Sequence, residues 1–561
     1  MEEMQAAIDE AMSDAAIDIT DMFTKRDLAG NYDESEAVKI TLSGKTAACN
    51  SSNVQIEDGV VTIKAAGVYV LSGTLTDGTI VVDAGDDDKV QLVLDGVSIM
   101  AADYAAIYAK NADKVFVTLA EGAGNSLTVS GDYVQTDDNN VDAVIFAKCD
   151  LTLNGTGSLT VKDNTGHGIV SKDDLVVTGG TYTIYSQDHC LNGKDSVRIA
   201  DGTFNLSCDE DGIHAGNDDQ QDGYVYIEGG DINISVGDDA LHAEGLLIIT
   251  GGDIDVSKSC EGVEGYKILV TGGDIDVVSS DDGFNAAGGS SGSGYNMMFW
   301  SGPDMGGVYM DADSDAYIFI TGGTININAD GDGIDSNGCI GITGGSVYVL
   351  GPSDNGNGAM DYGICAAITG GEIVAVGGSG MAQGFGDEST QCSALVNFDE
   401  WIDAGETITL TNSDGKEVLS YKADKKFNSV VISTSDMKQG GIYTLTVGDQ
   451  GSTFTLDDIT YSEGSGGMQR PGGNLDNGGM QRPGGNSDDG NMQRPGGNSD
   501  DGNMQRPGGN SDDGNMQRPG GNSDDGNMQR PDGDSDNGQN DSANGSSQNK
   551  DNSSSSDSMS I

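Results

Sequence analysis

The chain has 561 residues and carries 91 acidic against 27 basic side chains, a formal net charge of −64. That balance argues against nucleic acid or an anionic membrane surface as a partner and makes cations the natural counterpart. No run of 18 apolar residues occurs, so no membrane span is expected.

Residues 1–36 read as an N-terminal leader or cap, with a modestly helical acidic stretch from Met1 to Met22. The opening Met1-Glu-Glu-Met-Gln5 lacks the basic and apolar regions of a signal peptide, so no signal peptide is visible in this chain.

Residues 37–393 are written in a repeating grammar. Upstream it is loose, in Val90-Gln-Leu-Val-Leu94-Asp95-Gly96-Val-Ser-Ile99 and Leu127-Thr-Val129. From Asp142 to Gly371 it tightens. A glycine step falls at Gly155, Gly179, Asp201, Gly229, Gly251, Gly272, Gly322, Gly344 and Gly370. An acidic-turn position falls at Asp142, His167, His189, Asp211, Asp239, Glu261, Asp282, Asp332 and Tyr362. The distance from glycine to turn is ten residues from the pair Gly179/His189 through the pair Gly322/Asp332, and the return takes about twelve, so a coil is about 22 residues.

After each glycine step comes strict alternation, as in Asp253-Ile254-Asp255-Val256 and Thr324-Ile325-Asn326-Ile327, the period of a strand with one buried face. Two or three short strands per coil, without helical period and almost without proline, predict an all-β chain folded as a right-handed parallel β-helix. About a dozen coils at roughly 4.8 Å each would make a rod about 55–60 Å long. Each coil buries only a few Ile, Val and Leu, so stability must come from stacking on neighbours.

From about 394 to 460 the grammar stops. Glu406-Thr-Ile-Thr-Leu410, Val430-Val-Ile432 and Tyr443-Thr-Leu-Thr-Val447 predict a small antiparallel element covering the open edge that a parallel stack leaves. Residues 461–561 are a low-complexity tail in which Met-Gln-Arg-Pro recurs every twelve residues from Met468 to Met528. It has too little apolar surface to fold and reads as a disordered spacer or surface tether, with a partner or matrix motif as the alternative.

The eight cysteines form no Cys-x-x-Cys pair and no disulfide-scaffold density. Cys339 and Cys365 each precede a glycine step by five residues, so they should be neighbours in the stack, read as buried free thiols.

Three runs resemble a family of clostridial carbohydrate-binding β-helix proteins: Ser257-Lys-Ser-Cys-Glu-Gly-Val-Glu-Gly265, Ser280-Asp-Asp-Gly-Phe-Asn-Ala-Ala-Gly-Gly289 and Ala329-Asp-Gly-Asp-Gly-Ile-Asp-Ser-Asn-Gly338. Upstream, Tyr69-Val-Leu-Ser-Gly-Thr-Leu75 and Ala105-Ala-Ile-Tyr-Ala-Lys-Asn111 look similar to the same family, and the resemblance covers roughly residues 30–460. It implies a cell-surface, calcium-binding parallel β-helix that binds cellulose and pectic acid, with a fold similar to that of pectate lyases.

Stacked in register, Asp211, Asp239, Glu261 and Asp282 form a column of carboxylates about 4.8 Å apart, crowded further by Asp209, Asp238, Asp281, Asp330 and Asp332. Such neighbours repel by about 1–3 kcal/mol per pair at effective dielectrics of roughly 20–80. A cation would remove that cost, and Ca2+, which takes six to eight oxygen ligands in flexible geometry, is the expected cofactor; the alternative is that Asp-Gly merely makes tight turns. His214 and His242 occupy equivalent positions of adjacent coils and read either as polar ladder fillers or as transition-metal ligands.

The segment after Asp282 is 40 residues long instead of twelve, so about 28 residues near 287–314 are looped out, with Tyr295, Phe299 and Trp300 among them. Exposed aromatics suit the flat face of a sugar, or else fold back as an anchor over the coil. Lys258, three residues before Glu261, is a candidate sugar contact and, in a lyase reading, the base that takes the proton beside a uronate carboxyl. The expected function is therefore an extracellular or cell-surface, non-catalytic binder of plant cell-wall polysaccharide, acting as a monomer. A calcium-dependent pectate-lyase-like enzyme and an adhesin or rod without sugar specificity stand as alternatives.

Overall fold

The structure is a computed structural model and describes residues 21–216, 223–287 and 315–464. Among these residues there is no α-helix. The chain winds as a parallel β-helix of about 11 turns. One coil illustrates the rest: Thr203–Ser207 lies in a first sheet, Ile213–Ala215 in a second and Tyr224–Ile227 in a third. Each strand pairs in parallel with its counterparts one coil before and one coil after.

The alternation seen in the sequence sets the core. Ile232 and Ile234, Ile254 and Val256, Ile275 and Val277, and Ile325 and Ile327 point inward and stack on one another, all buried in one continuous apolar column. Fully burying each such side chain contributes about 1.5–3 kcal/mol, and no coil could bury its own without a neighbour.

Stacking also explains the doubled glycine. A Cβ on Gly322 would sit 2.3 Å from the Thr271 carbonyl oxygen of the coil below, and Gly323 holds a φ of +91°. The first glycine therefore permits close approach and the second a left-handed turn.

The C-terminal rim of the stack is covered. The strand Phe427–Ser433 pairs antiparallel with Glu372–Gly377 of the last coil and, on its other side, with Ser393–Ile402. A separate four-stranded antiparallel sheet, Glu417–Ala423, Glu406–Asn412, Ile442–Val447 and Gln450–Thr455, packs beside it. Pairing the last parallel edge in this way removes a row of open N–H and C=O groups.

Residues 21–29 run along the outside of the third sheet. Buried Asp27 is reached by Lys114 at 2.9 Å and by the Thr152 hydroxyl at 2.6 Å, while its own carbonyl accepts from Thr178 at 2.6 Å. Met22 lies against Leu246, Leu269 and Phe319 on the same outer face.

Three readings of the sequence are corrected. Cys339 and Cys365 do stack as neighbours, but outside the core and joined by a disulfide, with their Cα atoms 4.6 Å apart. The alternation places Ile340 and Ile342 inward, so Cys339, one residue before Ile340, faces outward together with its register partner Cys365. Tyr362 pairs with Ser336 in the second sheet, and Gly358 takes the turn position above Asp332. The partner of His167 in the preceding coil is Ala143, which leaves Asp142 one residue upstream of the column. The insertion aromatics Tyr295, Phe299 and Trp300 lie outside the described residues.

Candidate metal centre

Four coils turn from the first sheet into the second through an acidic pair, and the stack separates the two members; the Glu261 turn carries Cys260 in place of the outer acid. Asp209, Asp238, Asp281 and Asp330 are exposed, and Asp330 is paired with Lys425 of the C-terminal element at 2.7 Å. Asp211, Asp239, Glu261, Asp282 and Asp332 form the inner column, with Asp211 and Asp239 buried to 3% and 6% exposure.

The inner column is tied to the backbone. The Asp239 N–H donates to Oδ1 of Asp211 at 3.0 Å, Glu261 N–H to Oδ1 of Asp239 at 3.2 Å, and Asp332 N–H to Oδ1 of Asp282 at 2.6 Å. One carboxylate oxygen thus closes the turn of the next coil, which is the turn chemistry expected of Asp-Gly. The other oxygen is left over.

Those remaining oxygens meet a second column. Three residues beyond each turn, the outward side chains of the second sheet run Asn192, His214, His242, Glu264, Asn285, Asp335 and Asp361 in unbroken register. Of these, the sequence pattern alone points to His214 and His242 but not to Glu264, Asn285, Asp335 and Asp361. The signal was present as a polar residue recurring three positions after the turn, in Glu261-Gly-Val-Glu264 and Asp332-Gly-Ile-Asp335.

Together the two columns bring donors into groups whose ligating atoms all lie within 4.8 Å of one another: Asp211, Asp239 and His242; Asp239, Glu261 and Glu264; Asp282, Asp332 and Asp335. Two further groups join His189, Asp211 and His214, and His214, His242 and Glu244. Lys258 belongs to none of them.

The crowding shows in the acidities. Burial, then the Asp239 carboxylate, pushes Glu261 up to about 8, and burial leads the rise of Asp282 to about 7 and of Asp332 to about 8. Asp335 is raised well above the carboxylate range, by burial and then by Asp332 and Asp282. Burial works against the charge on Asp239 as well, but hydrogen bonds with His242 and Glu264 hold it below the usual value. Burial alone would lower His242, and contacts with Asp211 and Asp239 raise it instead. His189 and His214 are driven by burial to about 3. Asn285, 6% exposed, gives its amide N–H to Glu261 at 2.7 Å while its buried Oδ1 has no hydrogen-bond partner among the described residues. It sits in register between Glu264 and Asp335.

Lys258 stands on the solvent face of the first sheet and makes no ion pair among the described residues. The ladder puts it in a column of its own, Lys162, Tyr185, Ser207, Ser235, Lys258, at the edge nearest the acidic turns. Tyr185 is 48% exposed, and the Lys162 ammonium lies 5.5 Å from its ring centre. A groove of about 750 Å³ between residues 28–32 and the third sheet, lined in part by Tyr32, Asp95 and Glu121, shares no residue with either column.

A family described as "carbohydrate-binding domain-containing protein" matches residues 57–305. A protein of that description from Acetivibrio thermocellus is 39% identical over 227 residues, which are 39% of this chain and 79% of that one. Among solved structures, a polysaccharide lyase-like protein from C. thermocellum, studied as a gadolinium derivative, is 35% identical. The match covers 42% of this chain and 93% of that one, with a TM-score of 0.38.

Proposed function

The chain belongs to the carbohydrate-binding domain-containing family, and from that premise we propose an extracellular, non-catalytic polysaccharide binder for cellulose, pectic polygalacturonate or both, with calcium in the acidic column. The observation that carries the sugar reading is the column Lys162–Tyr185–Ser207–Ser235–Lys258. It offers an exposed ring for a pyranose face, hydroxyls between, and a cation at either end about 19 Å apart at about 4.8 Å per rung. In a chain of net charge −64, two lysines at the ends of one exposed row suit an acidic polymer.

Calcium is supported by the carboxylate-only end. Asp282, Asp332 and Asp335 converge there, and the neighbouring rung holds Asn285, whose buried Oδ1 has no hydrogen-bond partner among the described residues and is the kind of neutral oxygen that calcium sites commonly include. The outward Cys339–Cys365 disulfide agrees with an oxidising compartment.

The test is retention on insoluble cellulose and on pectate, with and without chelator. Pectate binding should fall on chelation, because an acidic rod needs bridging cations, while cellulose binding should persist. No retention on either polymer would leave only the rod or adhesin reading. Lys258 is exposed and makes no ion pair among the described residues, which favours a binding contact over a base. Incubation with polygalacturonate and calcium should therefore produce no unsaturated-uronide absorbance. Trp300→Ala should weaken retention where that ring stacks on sugar.

A further inference from the structure

We infer that the imidazole-bearing end of the column is a second, chemically distinct metal site. It would take a divalent transition-metal ion of the zinc class, held by His242 Nδ1, Asp211 Oδ2, Asp239 Oδ2 and Glu264 Oε2.

The geometry carries this. Around His242 Nδ1 stand Asp211 Oδ2 at 3.5 Å, Asp239 Oδ2 at 3.4 Å and Glu264 Oε2 at 3.4 Å. One ring nitrogen has at most one proton to give, so three carboxylates converging on it cannot all be served by hydrogen bonding. Donors bound tetrahedrally at about 2.0–2.1 Å from one ion would lie about 3.4 Å apart, which matches the separations of the three carboxylates from Nδ1; Asp211, Asp239 and His242 already offer ligand atoms all within 4.8 Å of one another.

The surrounding bonds prepare those atoms. Asp211 and Asp239 spend Oδ1 on the backbone of the next coil, which turns Oδ2 of each toward His242. Glu244 lies 4.0 Å from His242 Nε2, on the far side of the ring, where a carboxylate commonly orients a metal-bound imidazole. His214 meets Asn192 Oδ1 through Nδ1 at 3.3 Å and stacks on His189 at 4.5 Å, which walls the site from the preceding coil.

Donor type separates this end from the other. An imidazole nitrogen among carboxylates suits zinc, nickel or cobalt, whereas the all-oxygen group of Asp282, Asp332 and Asp335 suits calcium. The proposal does not depend on the sugar or calcium readings.

The test uses the full chain, stripped with chelator and titrated with cobalt(II) as a visible probe. Expected are visible d–d bands saturating near one equivalent, bleached by added zinc and untouched by excess calcium. His242→Ala should weaken cobalt binding at least tenfold while keeping the far-ultraviolet β spectrum, and Asp332→Asn should bind cobalt like the parent. Absence of the bands, equal binding by His242→Ala, or a near-ultraviolet thiolate band pointing to the free cysteines would each overturn the assignment. In that event the imidazoles are a stacked polar ladder around a protonated His242.

Discussion

The Asp332 N–H donates to Oδ1 of Asp282 at 2.6 Å although 50 residues separate them. The same bond joins Asp211 to Asp239 and Asp239 to Glu261 across one ordinary coil, so the insertion after Asp282 leaves the stack in register. It also means that each aspartate of the inner column has a structural oxygen and a spare one. Asp332→Asn keeps an oxygen acceptor for Gly358 N–H and removes a charge. We expect the chelated variant to melt at or above the parent, and to lose the stabilisation that calcium confers. For a ligand at a hundredfold its dissociation constant that stabilisation is about 2.7 kcal/mol. Calorimetry with and without calcium measures both, and an undiminished calcium shift in the variant would remove Asp332 from the site.

Without metal, the pH dependence should run opposite to that of an ordinary acidic protein. Asp282 and Asp332 are raised by burial, and then by neighbouring carboxylates, to about 7 and about 8, against about 4 for the unfolded chain. Between those values the folded state holds more protons than the unfolded state, so stability is present at low pH and is lost as pH rises through 7 and 8. The melting temperature of the chelated protein should fall from pH 5 to pH 9, and saturating calcium should flatten the slope. A chelated protein more stable at pH 8 than at pH 5 would contradict the burial of uncompensated acids here.

How far the sequence was legible follows from what each feature repeats. Ile232, Ile254, Ile275 and Ile325 announce the core because every coil needs the same inward side chain at the same place. Asp211 through Asp332 announce the turn for the same reason. Register between columns is harder to read, because it depends on which face a residue takes after a bend. Glu264 and Asp335 are visible as letters, yet only the parallel pairing places them opposite His242 and Asn285. Tyr185 and Lys258 lie 73 residues apart in sequence and share a row only because a bulge near Ser235 shifts Lys258 into it. Cys339 and Cys365 were read as neighbours from their equal offset, but facing inward, because the offset says nothing of side.

That disulfide closes a loop 26 residues apart in sequence. Removing it by paired replacement with serine should cost about 2–4 kcal/mol on the chain-entropy account, with the lower end expected because stacking already restrains both coils. Urea unfolding of the double variant against the parent measures it. A stability unchanged by the double replacement, or by reductant, would make the bond incidental to the stack.

The outer row gives the sharpest test of binding. Tyr185 is 48% exposed with the Lys162 ammonium 5.5 Å from its ring centre, and Lys258 lies three rungs beyond it in the same row. None of the three contributes a side chain to the core or to the inner acidic column, so replacing them should leave the fold and the calcium response intact. Tyr185→Ala removes a stacking surface whose aromatic contacts are worth about 0.5–1.5 kcal/mol beyond area, and should weaken binding to both neutral and acidic glycans by about three- to tenfold. Lys162→Ala with Lys258→Ala should weaken pectate binding far more than cellulose binding, and the loss should shrink as salt rises, because exposed charges are screened within about 10 Å at 0.1 M. Affinity electrophoresis in gels containing each polymer reads these differences directly. If all three variants migrate like the parent in both gels, the sugar is held elsewhere on the molecule, and the row of Lys162, Tyr185 and Lys258 is an ordinary solvated edge of the first sheet.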